Sequence, residues 1–487
     1  MRESVHSYEG LRATILGMAR QGLAAARFLL QSGARVTLSD QRSPDQLTSA
    51  IDALTKLASD HGAHKPQFVL GSHPISLLDS TDLLLLSGGV SPGIPLVQEA
   101  RQRGIALSND GELTLRHCPV PVIGITGSAG KTTTTTLTGL MLEAAGYRVH
   151  VGGNIGTPLI DRLEDILSGD KVVMELSSFQ LELMDRSPAI AAVVNITPNH
   201  LDRHPSMSHY AGAKANIMRY QERGDTVVLN ADDGYTGAWL ATGRVHIDAG
   251  EGQNEIYFPL RAATLGFSLE EEVAAGAFLA GNRLMLRLPG HDDTVICHFE
   301  DVRLRGRHNL ANVLAAACLS GAAGAPVEAM ASVASTFSGV EHRLEIVREH
   351  NGVTWVNDSI ATAPERTVAA IRSFTEPLIL LLGGRDKHLP WGECAAAIHA
   401  GHVRQVVLFG EAAELIAGAL AQYERATGIA AISMMKAGDL PAAVAAAERL
   451  AHAGDVVLLA PGGTSFDAYE DFAVRGQHFR DLVEALS

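Results

Sequence analysis

IGITGSAGKTTT, residues 123–134, is the stretch that decides the fold of this chain. An apolar run over 120–125 precedes its turn, and a helical pattern over 137–145 follows it. Small residues in the turn let backbone N–H groups approach phosphate oxygens, and a helix N-terminus adds partial positive charge. The strict G-x-x-x-x-G-K-[ST] spacing is not met, because position 125 is Ile. The stretch still predicts a nucleoside triphosphate site formed by Gly127, Ser128, Ala129, Gly130, Lys131, Thr132 and Thr133.

Two further side chains are candidates for the chemistry around those phosphates. Glu175 ends the apolar run 172–174, where a phosphate-loop enzyme places a ligand for Mg²⁺, and the Thr132 hydroxyl is the other expected ligand. A glutamate at a strand end is also often only a helix-capping partner. Asn154 lies between glycines in GGNIG, residues 152–156, so it either faces a ligand or occupies a left-handed turn.

Composition restricts the class of protein. The chain has 487 residues, which suggests about three domains. Its net charge of −15 argues against a nucleic-acid groove, because phosphate backbones require a basic surface. The four cysteines are scattered and form no C-x-x-C pair, which favours a reducing compartment. No apolar run is long enough for a membrane helix, and residues 1–10 lack a signal-peptide pattern. We therefore expect a cytoplasmic protein that acts without membrane or nucleic acid, as a monomer.

The order of patterns along the chain predicts α/β domains. Strand and helix patterns alternate over the first 110 residues, and Asp40 ends the second strand, a position that binds nucleosides in doubly wound folds. A second unit carries the glycine loop and includes an alternating, turn-rich excursion over about 247–302. A third unit again alternates, with polar residues after its strands at 357–359, 383–387 and 461–465. The predicted domains are 1–110, 111–339 and 340–487.

The segment NHLDRH, residues 199–204, is rich in His and Asp but matches no closed zinc ligand set. His200 can instead serve a second Mg²⁺. Lys214 lies in the helical pattern that follows, where a solvated lysine is the simpler interpretation.

These motifs together resemble the Mur ligases of peptidoglycan synthesis, and the likeness runs through nearly the whole chain. Within the family, the likeness is greatest to the members that add D-glutamate to UDP-N-acetylmuramoyl-L-alanine. The first-domain turn lacks the form typical of alanine-adding members, and no Asp-Asn-Pro-Arg occurs, as diaminopimelate- or lysine-adding members would require. Folylpolyglutamate synthases share the last two domains but not the first. The motifs are TGSAGKTT at 126–133, GNIG at 153–156, ELSSFQ at 175–180, NHLD at 199–202, HN at 308–309, HR at 342–343 and NDS at 357–359.

The resemblance implies a Rossmann-like first domain, a central P-loop-type ATPase domain with a small β excursion, and a Rossmann-like last domain. It implies ATP and one or two Mg²⁺ ions, with Thr132, Glu175 and His200 as ligands. Lys214 falls where the family carries a carbamylated lysine, which would add a metal-site oxygen and make Lys214 catalytic with Lys131, Glu175 and His200. The remaining implied contacts are Asn309, Asn312, Arg343 and Asp358 for the nucleotide; Met18, Ala19, Asp40, Gln41 and Arg42 for uracil; Ser91 and Gly93 for the diphosphate; Asn154, Ser177 and Gln180 for the substrate; and Thr362, Lys387, Ser465 and Phe472 for glutamate.

Two departures from the family pattern lie in the amino-acid domain. Ile360 replaces a lysine that helps to hold glutamate, and residues 460–463 read APGG where the family has Ser-Pro-Ala. They leave the reaction intact, but they make an L-glutamate-adding enzyme the alternative.

The implied reaction uses ATP to convert a carboxylate into an acyl phosphate, which the amine of glutamate then attacks. Two other classes of protein are alternatives to the ligase. A phosphate-loop kinase or switch would hydrolyse ATP independently of any amino acid, and a UDP-sugar-binding module would bind without turnover.

Overall fold

The computed structural model describes residues 8–198, 203–248, 255–304, 306–387 and 389–486. The chain forms two compact units, Met1–Phe337 and Ser338–Ser487. The first unit contains two large sheets, so the three predicted domain ranges stay predictions.

The first sheet of unit 1 has the order β3-β2-β1-β4-β5, and all its strand pairs are parallel. This confirms the predicted doubly wound pattern. Strands β2 and β3 are added on one side of β1, and β4 and β5 are added on the other side. The boundary between β1 and β4 is therefore a switch point, and such a switch point opens a crevice at the strand ends. The strands are β1 (Arg12–Leu16), β2 (Arg35–Asp40), β3 (Gln67–Leu70), β4 (Leu83–Leu86) and β5 (Ala106–Ser108); the helices are α1 (Arg20–Gln31), α2 (Thr48–Asp60), α3 (Pro95–Gln102) and α4 (Asp110–His117).

The second sheet of unit 1 carries the glycine loop. Its order is β16-β15-β14-β13-β10-β9-β6-β8-β7, with parallel pairs from β7 to β14. The last two pairs are antiparallel, which confirms the small excursion. The strands are β6 (Val122–Thr126), β7 (Val149–Gly153), β8 (Lys171–Glu175), β9 (Ile190–Val193), β10 (Thr226–Asn230), β13 (Ala263–Ser268), β14 (Gly276–Ala280), β15 (Arg283–Arg287) and β16 (Thr294–His298), and a separate antiparallel hairpin joins β11 (Arg244–Ile247) to β12 (Ile256–Pro259).

Helices cover both faces of this sheet. Residues 313–319 of α9 are completely buried, and five of the sixteen residues of this helix are alanine. Because alanine side chains are small, α9 can pack closely beside the helix that follows the glycine loop. The helices are α5 (Lys131–Ala144), α6 (Ser178–Leu181), α7 (Met207–Arg219), α8 (Gly234–Thr242), α9 (Arg307–Ala322) and α10 (Val327–Thr336).

Unit 2 is a third sheet, with the order β17-β18-β22-β19-β20-β21. Only the edge strand β17 is antiparallel among the described pairs, as expected for a doubly wound domain. The strands are β17 (Glu345–His350), β18 (Val353–Asn357), β19 (Leu378–Gly383), β20 (Val403–Phe409), β21 (Met434–Lys436) and β22 (Val456–Gly462); the helices are α11 (Pro364–Ile371), α12 (Gly392–Ala400), α13 (Ala413–Thr427), α14 (Leu440–Leu450) and α15 (Phe472–Glu484).

The three sheets confirm the predicted α/β fold class. Among the described residues, no helix combines the length and apolar character that crossing a bilayer requires.

Candidate active site

The glycine loop joins β6 to α5, as the sequence predicts. Gly130 is the N-cap of α5 and has φ 79°, in the left-handed region that favours glycine. A Cβ atom at Gly130 would lie 2.3 Å from Oδ1 of Asn312, and one at Gly127 would lie 2.2 Å from a methyl of Val194. Both glycines are therefore required for the loop to pack against its neighbours.

Two lysines meet at one carbonyl oxygen of this loop. Lys131 Nζ donates to the Gly127 carbonyl at 2.8 Å, and Lys214 Nζ donates to the same carbonyl at 2.7 Å. Lys214 is buried, with 1% of its surface exposed. Burial lowers the pKa of Lys214 well below its usual value, and repulsion by Lys131 lowers it further, while Glu175 opposes the shift. The loop thus places Lys131 and the N-terminus of α5 where a phosphate group can bind, with Lys214 buried beside them.

Glu175 receives hydrogen bonds on both carboxylate oxygens. Thr132 Oγ1 donates to Oε2 at 2.8 Å, and Asn154 Nδ2 donates to Oε1 at 2.9 Å. Thr126 Oγ1, at the end of β6, is buried and has no hydrogen-bond partner among the described residues. A carboxylate and hydroxyls beside a phosphate loop are the oxygen donors that Mg²⁺ prefers, so the residues present fit this ion.

The loop is held by residues that the sequence analysis missed. Asn195 Oδ1 accepts from the Ala129 N–H at 2.9 Å, and its Nδ2 donates to the Ala129 carbonyl at 3.0 Å. Tyr210 Oη donates to Ser128 Oγ at 3.0 Å, and Ser128 Oγ donates to the Thr197 carbonyl at 2.9 Å. Tyr210 precedes Lys214 by one helical turn, and this spacing was the signal that could have identified it.

Three predicted nucleotide or metal residues have different outcomes. His200 lies outside the described residues, so its role stays a prediction. Asn312 lies beside the glycine loop, and Thr134 Oγ1 donates to its Oδ1 at 3.3 Å. Asn312 Nδ2 in turn donates to Asn309 Oδ1 at 3.2 Å. The structure thus brings Asn312 to the loop and links Asn309 to it.

Ser177 and Gln180 form a capping box at the start of α6, directly after the Glu175 strand. Gln180 is buried, and its Nε2 donates to Asp110 Oδ1 at 3.1 Å. Burial raises the pKa of Asp110 to about 6, against hydrogen bonds that lower it. The hydrogen bonds of Gln180 therefore organise the protein interior, and its predicted contact with a substrate stays a prediction.

A cavity of about 250 Å³ lies at the switch point of the first sheet. The predicted residues Ala19, Asp40, Gln41, Arg42 and Ser91 all line it. His73, Ser87, Val90 and others complete the lining, and the sequence analysis did not identify them.

Asp40 organises the floor of this cavity. Met18 N–H donates to Oδ2 at 2.7 Å, and Arg42 Nε donates to Oδ1 at 2.9 Å. The Arg42 hydrogen bond is the main reason that the pKa of Asp40 is held well below its usual range. Met18 is buried and contributes its backbone rather than its side chain. Gly93 does not line the cavity, but its N–H donates to Ser91 Oγ at 3.2 Å.

In unit 2, Arg343 lies in a strained turn. Its neighbours His342 and Leu344 have φ values of 60° and 43°, which are unusual for residues other than glycine. The Leu344 N–H donates to Asp358 Oδ1 at 3.1 Å, so the turn and the end of β18 are joined. Burial raises the pKa of Asp358 to about 6, although Arg343 and Arg366 oppose the shift.

The predicted glutamate-binding residues lie on loops at the same edge of the third sheet. Lys387 Nζ donates to Thr362 Oγ1 at 3.2 Å, while Ser465 is buried after β22. Phe472 is the first residue of α15, and its carbonyl accepts from Ser359 Oγ at 2.8 Å.

Arg475 connects these loops by hydrogen bonds, and the sequence patterns did not predict this role. It is completely buried, and its guanidinium donates to Ser359 Oγ at 3.0 Å and to the Gly463 carbonyl at 3.2 Å. Burial lowers its pKa to about 10.

Arg366 is a second missed cation at this edge. It lies in the first turn of α11, four residues after Thr362, and it is exposed. The pKa of Lys387 is lowered by partial desolvation and then by repulsion from Arg366 and Arg475, with Glu365 opposing. Two arginines and one carboxylate thus act on Lys387 at this edge.

Comparison with known proteins matches three family models to this chain. The "Mur ligase MurD-like, N-terminal domain" covers residues 11–109, the "Mur ligase middle domain" covers 125–320, and the "Mur ligase, glutamate ligase domain" covers 342–463.

Curated relatives match at nearly full length. A UDP-N-acetylmuramoylalanine–D-glutamate ligase from Symbiobacterium thermophilum is 42% identical, over 98% of each chain. One from Clostridium novyi is 37% identical, over 97% of this chain and 96% of the relative.

Solved structures share the fold at low identity. A UDP-N-acetylmuramate-alanine ligase from Thermotoga maritima is 19% identical with a TM-score of 0.51, covering 98% of this chain and 99% of that one. A pseudomurein peptide ligase type C from Methanothermus fervidus is 17% identical with a TM-score of 0.51, covering 98% of this chain and 100% of the other.

Proposed function

This chain belongs to the Mur ligase family, and on that premise we propose that it joins D-glutamate to UDP-N-acetylmuramoyl-L-alanine at the expense of ATP. Mur ligases are ATP-dependent enzymes that form amide bonds. The observation that carries the proposal is the convergence of the Lys131 and Lys214 Nζ atoms on the Gly127 carbonyl, beside Glu175 and Thr132.

ATP is consumed in this reaction because a carboxylate has no usable leaving group. The carboxylate of the first substrate attacks the γ-phosphorus, ADP departs, and an acyl phosphate forms. The amine of glutamate attacks the acyl carbon, and the tetrahedral intermediate expels phosphate. Lys131 is the residue that we expect to neutralise the transferred phosphoryl group.

The donor set of Thr132 and Glu175, with His200 as a further candidate, would hold Mg²⁺. When bound, this ion supplies charge neutralisation for the phosphate oxygens. Asn154 keeps one Glu175 oxygen in place by its hydrogen bond, so the carboxylate retains a fixed orientation.

Lys214 is proposed to carry a carbamate. Carbon dioxide reacts with a neutral amine and releases a proton, and the environment of Lys214 favours the neutral amine. The carbamate would reverse the sign of the charge at this position and add an oxygen ligand for the ion. Lys131 and Tyr210 lie close enough to influence that group, since Lys131 shares the Gly127 carbonyl and Lys214 Nζ lies 4.7 Å from the centroid of the Tyr210 ring.

The cavity in the first sheet is proposed to hold the uridine diphosphate part of the substrate. Its backbone and side chains offer hydrogen-bond donors around Asp40, while Ser91 and its neighbours form a small-residue loop at the other wall. Such a cavity at a switch point is the usual position for a nucleoside.

The amino-acid site is proposed to use Lys387 and Arg366 for the carboxylates of glutamate. Ile360 removes one cation from the family pattern, and Arg366 supplies another in the first turn of α11. Thr362 and Ser465 would contribute hydroxyls, and Phe472 would form an apolar wall. The alternative is that the same edge accepts L-glutamate.

The deciding experiment measures phosphate release from ATP with UDP-N-acetylmuramoyl-L-alanine and D-glutamate, L-glutamate or no amino acid. We expect rapid release with D-glutamate and only background release without it. Equal rates with and without an amino acid would contradict the ligase assignment. Faster turnover with L-glutamate would establish the alternative.

The working state of the enzyme is proposed to be a cytoplasmic monomer. Light scattering of the purified chain at working concentration tests the oligomeric state, and a dimer mass would contradict it.

A further inference from the structure

Two imidazoles and one carboxylate converge at the surface of unit 1, outside the proposed Mg²⁺ ligands. Ligand atoms of Glu182, His204 and His209 all lie within 4.8 Å of one another. His204 Nδ1 and His209 Nδ1 are 3.0 Å apart, and the other ring nitrogen of His209, Nε2, lies 4.0 Å from Glu182 Oε1, so a single ion would take one of the two His209 nitrogens. We name these three residues the histidine cluster.

His204 is held in a fixed orientation. Its ring is buried, and its Nε2 lies 2.9 Å from Ser178 Oγ. The Phe179 ring stacks on it at 5.1 Å between centroids with an interplanar angle of 4°. When Ser178 Oγ accepts from Nε2, the lone pair of His204 lies on Nδ1 and faces His209. Such an outer hydrogen bond is how proteins orient a histidine ligand for a metal.

Access to the cluster comes from the other two residues. The His209 side chain is 38% exposed, and the Glu182 side chain is 18% exposed. Arg101 Nη2 lies 3.7 Å from Glu182 Oε1 and shares that carboxylate from a surface position. A cation can therefore approach the cluster from solvent on the side of His209 and Glu182, with His204 as the buried ligand.

We propose that Glu182, His204 and His209 form a site for Zn²⁺ or a similar divalent metal ion such as Co²⁺. Two imidazole nitrogens on bonds of about 2.0–2.1 Å in a tetrahedral site lie roughly 3.3 Å apart, close to the 3.0 Å between the two Nδ1 atoms. Imidazole ligands favour Zn²⁺ over Mg²⁺, whereas the Thr132–Glu175 donor set consists of oxygen atoms. The two sites therefore select different ions.

Binding at this cluster would join two elements that border the glycine loop site. Glu182 directly follows α6, and His209 lies in the first turn of α7, which carries Tyr210 and Lys214. A bound cation would hold the start of α7 against the end of α6 and would stabilise unit 1.

The test uses the full chain without an affinity tag, freed of metal by a chelator and kept in excess Mg²⁺. Calorimetry with Zn²⁺ and the visible absorption of Co²⁺ report binding and coordination. We expect one ion per chain, and affinity about 10-fold or more weaker in His209→Asn, a partly exposed position where folding should be retained. Circular dichroism of the variant checks its fold.

His246→Asn is the matched control, because His246 pairs with Glu255 at the surface and belongs to no group of three such ligands among the described residues. It should bind Zn²⁺ as the parent chain does. Absence of stoichiometric Zn²⁺ binding in the parent would overturn the proposal. So would unchanged binding in a folded His209→Asn variant, or a loss confined to His246→Asn.

Discussion

The glycine loop of the central sheet and the ligand edge of the third sheet both present cations, but they hold them in different ways. At the glycine loop, Lys131 and Lys214 share one backbone carbonyl, so their positions depend on the path of the main chain. At the edge of the third sheet, Lys387 contacts a side-chain hydroxyl on another loop, and Arg366 is an exposed neighbour. We expect the site tied to the backbone to be the more sensitive to substitution, whereas a site assembled from separate loops can receive its charge from another position.

The largest expected effect is at the glycine loop. Lys131→Ala should reduce kcat/KM for ATP by about 10³-fold, because it removes the cation expected to neutralise the transferred phosphoryl group, and Lys214 is buried with a lowered pKa. Initial rates of phosphate release measure this loss. Lys56→Ala, an exposed lysine on α2, is the control and should retain the parent rate. Undiminished ligation by a folded Lys131→Ala enzyme would contradict this role of Lys131.

The second effect concerns Lys214. Lys214→Gln should lower kcat by about 10²-fold, since an amide cannot form the proposed carbamate. The parent enzyme should lose activity in carbon dioxide-free buffer and recover it with bicarbonate, whereas the variant should not respond. A parent rate independent of bicarbonate would argue against the carbamate.

At the edge of the third sheet we expect a smaller effect on KM for glutamate, which a second substitution should reverse. Arg366→Ala should raise KM for glutamate by about 10-fold, as expected for the loss of one charge-assisted contact. Adding Ile360→Lys to this variant should restore much of the affinity, because it returns a cation at the family position. Steady-state kinetics with varied glutamate measure both variants.

Arg372→Ala is the control for that experiment, since Arg372 ends α11 and pairs with Glu393 at the surface. Its KM for glutamate should match that of the parent. An unchanged KM in Arg366→Ala, or failure of the lysine to restore affinity, would show that Arg366 does not supply the missing charge.

The smallest effect is a shift in pH dependence. The pKa of Asp358 is raised to about 6 by burial and is opposed by Arg366, so removal of Arg366 should raise it further. If ionised Asp358 serves nucleotide binding, kcat/KM for ATP falls as pH drops through that pKa. The acid limb should move upward by about half a pH unit in Arg366→Ala and stay in place in Arg372→Ala. A downward shift would contradict this assignment.

The same carboxylate affects stability with a definite sign. The folded-state pKa of Asp358 lies above its ordinary value of 3.8, so the folded chain binds the proton more tightly. This contribution to the free energy of unfolding is present in full below about pH 4 and is lost as pH rises through about 6.

Structural features that depend on short stretches of sequence were predicted correctly. The glycine loop lies between β6 and α5 because its turn and its helix are neighbours in the chain. Residues missed by the sequence analysis, such as Asn195 and Arg475, act through partners far away in the chain, and their residue types carry no local signal. Gln180 was identified from its local motif, but its hydrogen bond to Asp110 could not be predicted from that motif.

The sequence alone determined the α/β class, the phosphate loop and the resemblance to the Mur ligases, because each of these can be identified from short runs of contiguous residues and the spacing between them. Only the tertiary structure decided that Lys131 and Lys214 share one carbonyl, and that Arg366 and Lys387 act on the same edge of the third sheet. The physical reason is that burial, electrostatic repulsion and hydrogen bonding depend on distances in space, which residue spacing does not specify beyond one turn or strand.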